Sequence, residues 1–201
     1  MFTEDLLLYA SQGNGVFIRW NGSFLFALGN EKYWKKTDTH WVITYTNTGG
    51  HVENSETILE ATKREVLEEI GCEIDLLSSN RTMKCSLEVP GISYHELDDE
   101  ICPILIYDSE TLKMSSGIYL GSIRSNPTPN MEVPALVFLP PPLIQGGTLS
   151  SLLNAGAKLI TQDEREIPKN TFLKPFGSVE LLVNYWDDFL SIESFKRFLE
   201  D

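Results

Sequence analysis

Hydrophobic and polar positions alternate over residues 14–28, with Val16, Ile18 and Trp20 on one arm and Phe24, Phe26 and Leu28 on the other. Asn21-Gly22 between two such runs predicts a hairpin, because both residues accept the positive φ of a tight two-residue turn. Residues 41–46 alternate again, and short apolar runs at 74–77, 81–88, 101–107, 117–123 and 133–139 predict further strands. Between these runs the period changes. Leu59, Thr62, Val66 and Ile70 recur at three- and four-residue steps, the buried stripe of a helix. Asn54 or Ser55 is the expected cap at its start, and Gly71 the left-handed residue at its end.

Two more helical patterns follow, at 149–160 and at 178–199, the latter carried by Leu181, Leu182, Tyr185, Phe189, Ile192, Phe195 and Leu199. Pro140-Pro141-Pro142 stops the last expected strand and marks the best internal boundary. The expectation is therefore a core over 1–140 and a C-terminal helical extension over 141–201, packed on the same domain. Strands, helix, strands and helices in that order predict an α/β fold with a mixed sheet between helices. The C-terminal helices could cover the sheet or make a homodimer interface.

Composition narrows the function classes. The chain has 201 residues, enough for one domain with extensions, and 42% of them are hydrophobic, enough for a core. Its net charge of −13 disfavours a grip on long nucleic acid, which needs clustered Lys and Arg, but tolerates a small phosphorylated substrate bound through a metal. Cys72, Cys85 and Cys102 are odd in number and lack paired metal spacing, so reduced thiols in a cytoplasm are the simplest reading. The first residues have no basic n-region of a signal peptide, and no apolar run reaches the roughly 18 residues that span a bilayer.

Candidate chemistry concentrates on the expected helix. Glu65, Glu68 and Glu69 fall outside its apolar stripe, and their i, i+3, i+4 spacing stacks three carboxylates on one face. Like charges so placed cost roughly a few tenths of a kcal/mol per pair, which a hard divalent cation would reverse. Oxygen-only ligands without His or Cys suit Mg²⁺ or Mn²⁺ rather than zinc; the plainer alternative is a charged solvent face. A second cluster, Lys32, Tyr33, Trp34, Lys35 and Lys36, lies in the polar connection 29–40. It reads either as a solvated loop anchored by its aromatics or as a substrate wall, with lysines on phosphates and a ring stacked on a base.

Around those glutamates the sequence runs Gly50, five residues, Glu56, seven residues, Arg64-Glu65-Val66, one residue, Glu68-Glu69, one residue, Gly71. This pattern resembles the Nudix box. Seven fixed identities would arise by chance at a given start on the order of once in 10⁸. Thr48, where proline commonly precedes the paired glycines, and Cys72, where a bulky aliphatic residue is usual, depart from it without touching the chemistry.

The resemblance implies a Nudix α/β/α sandwich from about residue 14 to 140 and hydrolysis of a phosphate anhydride. It implies Glu65, Glu68 and Glu69 as metal ligands, with the Gly49 carbonyl as a further one. Arg64 and Glu56 would support them, the guanidinium fork holding Glu65 while Glu56 satisfies the guanidinium. Glu68 could act as the general base from within the helix; Glu96, Asp99, Glu100, Glu110 and Glu132 are the downstream alternatives.

The expected substrate is a nucleoside diphosphate linked to another group. Pro90, near the marker proline of ADP-ribose pyrophosphatases, tilts the choice towards ADP-ribose-like or nucleotide-sugar substrates. Dinucleoside polyphosphates, damaged nucleoside triphosphates and capped RNA stay open, the last only if Lys32, Lys35, Lys36 and Arg124 converge. A different class, a nucleotide-sensing or partner-binding module without turnover, would not need the full metal set.

Overall fold

The computed structural model describes every residue except Asn54, Met131 and Asp201, with Glu164 described through its backbone alone. In chain order the first half runs β1 (Ser11–Trp20), β2 (Ser23–Leu28), β3 (Lys35–Lys36), β4 (Trp41–Thr46), α1 (Ile58–Ile70), β5 (Ile74–Leu77), β6 (Thr82–Ser86) and β7 (Ile92–His95). The second half runs β8 (Leu105–Ser109), β9 (Met114–Ile123), β10 (Ala135–Leu139), β11 (Gly147–Thr148), α2 (Leu149–Asn154), β12 (Lys158–Thr161), β13 (Thr171–Pro175), α3 (Ser178–Asn184), α4 (Trp186–Leu190) and α5 (Glu193–Glu200).

The expected hairpin forms: β1 and β2 pair antiparallel around Asn21 and Gly22, whose φ values are 49° and 78°. The sheet is mixed, with order β11-β13-β4-β2-β1-β9-β8-β6-β7. β1 runs parallel to β9, β6 to β8 and β13 to β4, while β2 with β4 and β8 with β9 are antiparallel.

Strand alternation sends side chains into two cores. Val16, Ile18, Leu25, Ala27 and Tyr119 pack with Ile58, Val66 and Ile70 of α1 on one face. Phe17, Phe24, Phe26, Ile43, Tyr45 and Leu120 pack with Leu182, Phe189, Phe195 and Phe198 of the C-terminal helices on the other. The result is a three-layer α/β/α arrangement whose second helical layer comes from residues 178–200, beyond the 14–140 span expected to hold the whole sandwich.

Three expectations change. The pattern over 149–160 resolves into the short α2 and then β12, which pairs with β10, because Gly156, at φ 103°, reverses the chain between them. The pattern over 178–199 is three short helices, broken at Tyr185 and at Ser191–Ile192. The segment after residue 140 is thus not only helical. It also supplies β13, where Thr171, Leu173 and Pro175 are buried while Phe172 and Lys174 face out. This alternation lies beside β4, and the Tyr45 hydroxyl donates to the Ile144 carbonyl at 2.7 Å, which ties the C-terminal segment into the core.

Candidate active site

Helix α1 starts at Thr57, not at Asn54 or Ser55. Its side chain accepts from the Glu60 amide while the Glu60 carboxylate accepts from the Thr57 amide, a reciprocal capping box. Asn54 lies outside the described residues, and Ser55 sits at φ 76°, in a turn before the cap. The helix ends as expected at Gly71, φ 66°, whose amide donates to the Leu67 carbonyl. Residues 128–130 close this end further: the Thr128 and Asn130 amides donate to the Ile70 and Glu69 carbonyls, and Asn130 Nδ2 donates to the Glu68 carbonyl at 2.7 Å. No sequence pattern announces this contact, which follows from where β10 enters the sheet.

Arg64 organises the polar side of the helix. Its Nε and Nη2 donate to the two Glu56 oxygens at 3.1 and 2.7 Å, a two-pronged pair, and Nη1 donates to Glu65 Oε1 at 3.0 Å and Glu68 Oε2 at 3.1 Å. Nη2 also reaches the His51 carbonyl at 3.2 Å, which fixes the loop before the helix. The guanidinium, with the Glu53 amide, holds the Glu56 carboxyl below its usual range. Glu65 moves the other way, because partial burial outweighs its bond to Arg64.

The glycine loop supplies the facing wall. Gly49 donates its amide to Glu69 Oε2 at 3.1 Å, and a Cβ at Gly50 would run into the Glu65 carboxylate. Asn14 in β1 pins the loop with its backbone amide and its Nδ2, both donating to the Gly50 carbonyl at 2.9 and 3.2 Å. Burial pushes the Glu69 carboxyl up to about 8, against the Gly49 amide, and the neighbouring charges of Glu65, Glu132 and Glu68 add to the rise.

The structure therefore brings together Gly49, Glu56, Arg64, Glu65, Glu68 and Glu69, with Glu132 near enough for its charge to act on Glu65 and Glu69. Other downstream acids are engaged elsewhere: Asp99 accepts from Thr3, and Glu110 lies 3.9 Å from Lys113. Trp34, Lys35 and Lys36 do not join the cluster. Trp34 Nε1 donates to the Gly29 carbonyl, and the lysines pair with Val42 and Trp41 at the start of β4. Val42 lies four positions before the strand's end at Thr46, about 13 Å at strand rise, and the glycine loop lies beyond.

Among the described residues no three His, Cys, Asp or Glu side chains converge closely enough to hold an ion as they stand, and Arg64 Nη1 bonds both Glu65 and Glu68. The donor set still fits a hard divalent cation: oxygen ligands only, with Glu69 destabilised as a lone anion by burial and like charge.

A model of the NUDIX domain matches residues 14–113. Those residues belong to the Nudix family. The matched span opens at Asn14 and runs through the hairpin, the glycine loop and α1 to the β8–β9 turn. No curated protein matches the sequence.

Among solved structures, a Nudix-family hydrolase from Clostridium perfringens is similar at 18% identity and TM-score 0.48, over 74% of this chain and 94% of that one. An ADP-ribose pyrophosphatase from Streptococcus suis is similar at 11% identity and TM-score 0.41, over 64% and 72%. An Ap4A hydrolase from C. elegans is similar at 16% identity and TM-score 0.40, over 64% and 79%. In this Nudix chain, sequence reasoning missed Thr57, Asn14 and Asn130. Only Thr57 left a readable signal, the Thr-x-x-Glu of its capping box.

Proposed function

We propose that this Nudix hydrolase cleaves the pyrophosphate bond of a nucleoside diphosphate linked to a second group, with Mg²⁺ or Mn²⁺ held by Glu65, Glu68 and Glu69 and by the Gly49 carbonyl. The observation that carries the proposal is the Arg64 clamp. One guanidinium ties Glu56, Glu65 and Glu68 together while Gly49 positions Glu69, so the carboxylates are oriented on rigid elements before any ligand arrives. A bound divalent ion would neutralise charge on the phosphate oxygens and acidify a water at that place.

The chain's own residues do the rest. Glu56, kept ionised by Arg64, anchors the guanidinium, and Arg64 limits the rotamers of Glu65 and Glu68. Gly50 leaves room for the Glu65 carboxylate against the loop. Glu68, more exposed than its neighbours, and Glu132, on the loop after Asn130, are the acids placed to take a proton from the attacking water.

For the substrate we favour ADP-ribose-like or nucleotide-sugar diphosphates, on the position of Pro90 in the connection between β6 and β7. The test is a Mg²⁺-dependent screen of nucleoside diphosphate derivatives with products identified by mass. A monophosphate product should appear and fall at least about 100-fold in Glu68→Gln and Glu69→Gln. Full activity in both variants overturns the assignment. Tight nucleotide binding without product over hours would instead favour a sensing module.

A further inference from the structure

The glycine loop has a second support, from a part of the chain outside the span 14–113 that matches the family. Ser178, the first residue of α3 and 1% exposed, donates its hydroxyl to Asn47 Oδ1 across 131 positions of sequence. Asn47 is itself buried, and its Nδ2 donates to the Thr48 carbonyl at 3.0 Å. The same carbonyl accepts from the Val16 amide of β1 at 3.0 Å. Two donors therefore hold one oxygen.

That oxygen matters because the Thr48 C=O and the Gly49 N–H belong to one peptide unit. The unit is planar and trans, so its N–H points opposite to its C=O. Whatever fixes the Thr48 carbonyl also aims the Gly49 amide, which donates to Glu69 Oε2 at 3.1 Å. The surroundings leave room for this arrangement and little else. A Cβ at Gly15 would lie 1.8 Å from Asn47 Nδ2, and one at Gly49 would lie 2.3 Å from the Asn14 carbonyl oxygen, so either would push the loop off β1. Beside residues 45–47 run residues 176–178, where the Phe176 amide donates to the Tyr45 carbonyl at 3.0 Å. Thr48 has no proline ring to stiffen this point, and hydrogen bonds hold it instead. Without the Ser178 hydroxyl, Asn47 Oδ1 would keep only the Thr46 hydroxyl, 3.2 Å away, and the side chain would be less firmly held to the Thr48 carbonyl.

We propose that Asn47 and Ser178 are positioning residues of the glutamate site: through the Thr48–Gly49 peptide they aim the Gly49 amide at Glu69, and so hold the Gly49 carbonyl and the Glu69 carboxylate in place for a divalent ion. One residue of the C-terminal segment thereby reaches the chemistry of α1. The metal part of this inference rests on the hydrolase reading, whereas the aim of the Gly49 amide does not.

The experiment compares the full chain with three variants. Ser178→Ala removes the hydroxyl. Asn47→Asp keeps the side-chain shape and the Ser178 bond but loses the donor to Thr48, and it tests the link even where Ser178→Ala disturbs α3. Ser79→Ala is the control, a buried hydroxyl on the connection between β5 and β6 that also bonds a C-terminal residue, Ser194, at 2.9 Å. In metal-free protein the Gly49 amide, followed by hydrogen exchange and NMR, should exchange about tenfold faster in Ser178→Ala and Asn47→Asp and at the parent rate in Ser79→Ala. Mn²⁺ binding without nucleotide, followed by electron paramagnetic resonance, should weaken about three- to tenfold in the first two variants alone. An unchanged Gly49 exchange rate in both variants overturns the proposal, and so does faster exchange with unchanged Mn²⁺ affinity. Equal losses in Ser79→Ala would reduce the link to general stability and overturn it too. A parent chain that binds no Mn²⁺ would instead sink the metal reading of the site, and the Gly49 exchange rate would then decide the role of Asn47 and Ser178.

Discussion

On one face of the sheet Phe24, Phe26, Phe189, Phe195 and Phe198 close into a nest of rings with centroids 5.3–6.4 Å apart. On the other face α1 turns a narrow apolar stripe inward and gives its outer side to Arg64 and three glutamates, two of them shifted by burial away from the charged form. Both faces hang from the same strands, β1 and β2, whose odd and even positions point opposite ways. The aromatic face is given over to packing. The α1 face carries repulsion among its carboxylates, which only a cation relieves. Stability and chemistry are thus divided between the two sides of one sheet, and substitutions should separate them.

The largest effect is expected on the aromatic side. Phe195 is fully buried and touches Phe24, Phe189, Phe198 and Trp186. Phe195→Ala should lower stability by about 3–5 kcal/mol, the range for emptying a packed aromatic site. Chemical denaturation measures this loss. Turnover per folded molecule should stay within twofold, since the ring packs on the face of the sheet opposite α1, and a parallel loss of turnover would show that the faces are coupled.

Next comes the opposite case on α1. Arg64→Lys keeps the charge but loses the fork that joins Glu56 to Glu65 and Glu68. Activity should fall about 10- to 100-fold, the usual effect of removing a group that orients metal ligands, and the Mg²⁺ concentration for half-maximal rate should rise. The unfolding midpoint should barely move, because Arg64 is partly exposed and its ion pairs are screened by solvent. A large drop in midpoint with unchanged kinetics would make Arg64 structural.

Thr57→Ala sits between these extremes. Losing the cap of α1 should reduce stability by about 1 kcal/mol and leave a smaller kinetic trace through Glu56, one residue away. Thermal unfolding of the variant beside Thr57→Ser, which restores a capping hydroxyl, checks this.

How much of this division was legible in the sequence differs by region. The grouping of the glutamates and Arg64 was legible because it depends on spacing along one helix, which the sequence states directly. The hairpin was legible because Asn21-Gly22 admits few other conformations. The C-terminal segment was not: Thr171 to Pro175 is five residues long, and its place beside β4 comes from a pairing about 130 positions distant. The place of Trp34, Lys35 and Lys36 was hidden for the same reason. A basic aromatic cluster suggests phosphate recognition, but the strand pairing that carries it to the far end of β4 is invisible locally.

The smallest expected effect lies off both cores, at Glu88, where an exposed carboxylate accepts from the Ser109 hydroxyl at 2.8 Å and from the Glu110 and Thr111 amides at 3.0 and 3.2 Å. These donors, the Glu110 amide above all, hold its carboxyl down at about 2, against 4.5 for a free glutamate side chain. A depressed folded-state pKa favours the folded form above about 4.5, and that contribution fades as pH falls towards 2. Glu88→Gln should therefore melt slightly below the parent at about pH 6–7, with the gap closing between about pH 4.5 and 2. A gap that holds constant through that window would mean that the amide bonds the β8–β9 turn differently, and that the carboxylate charge adds nothing to the turn.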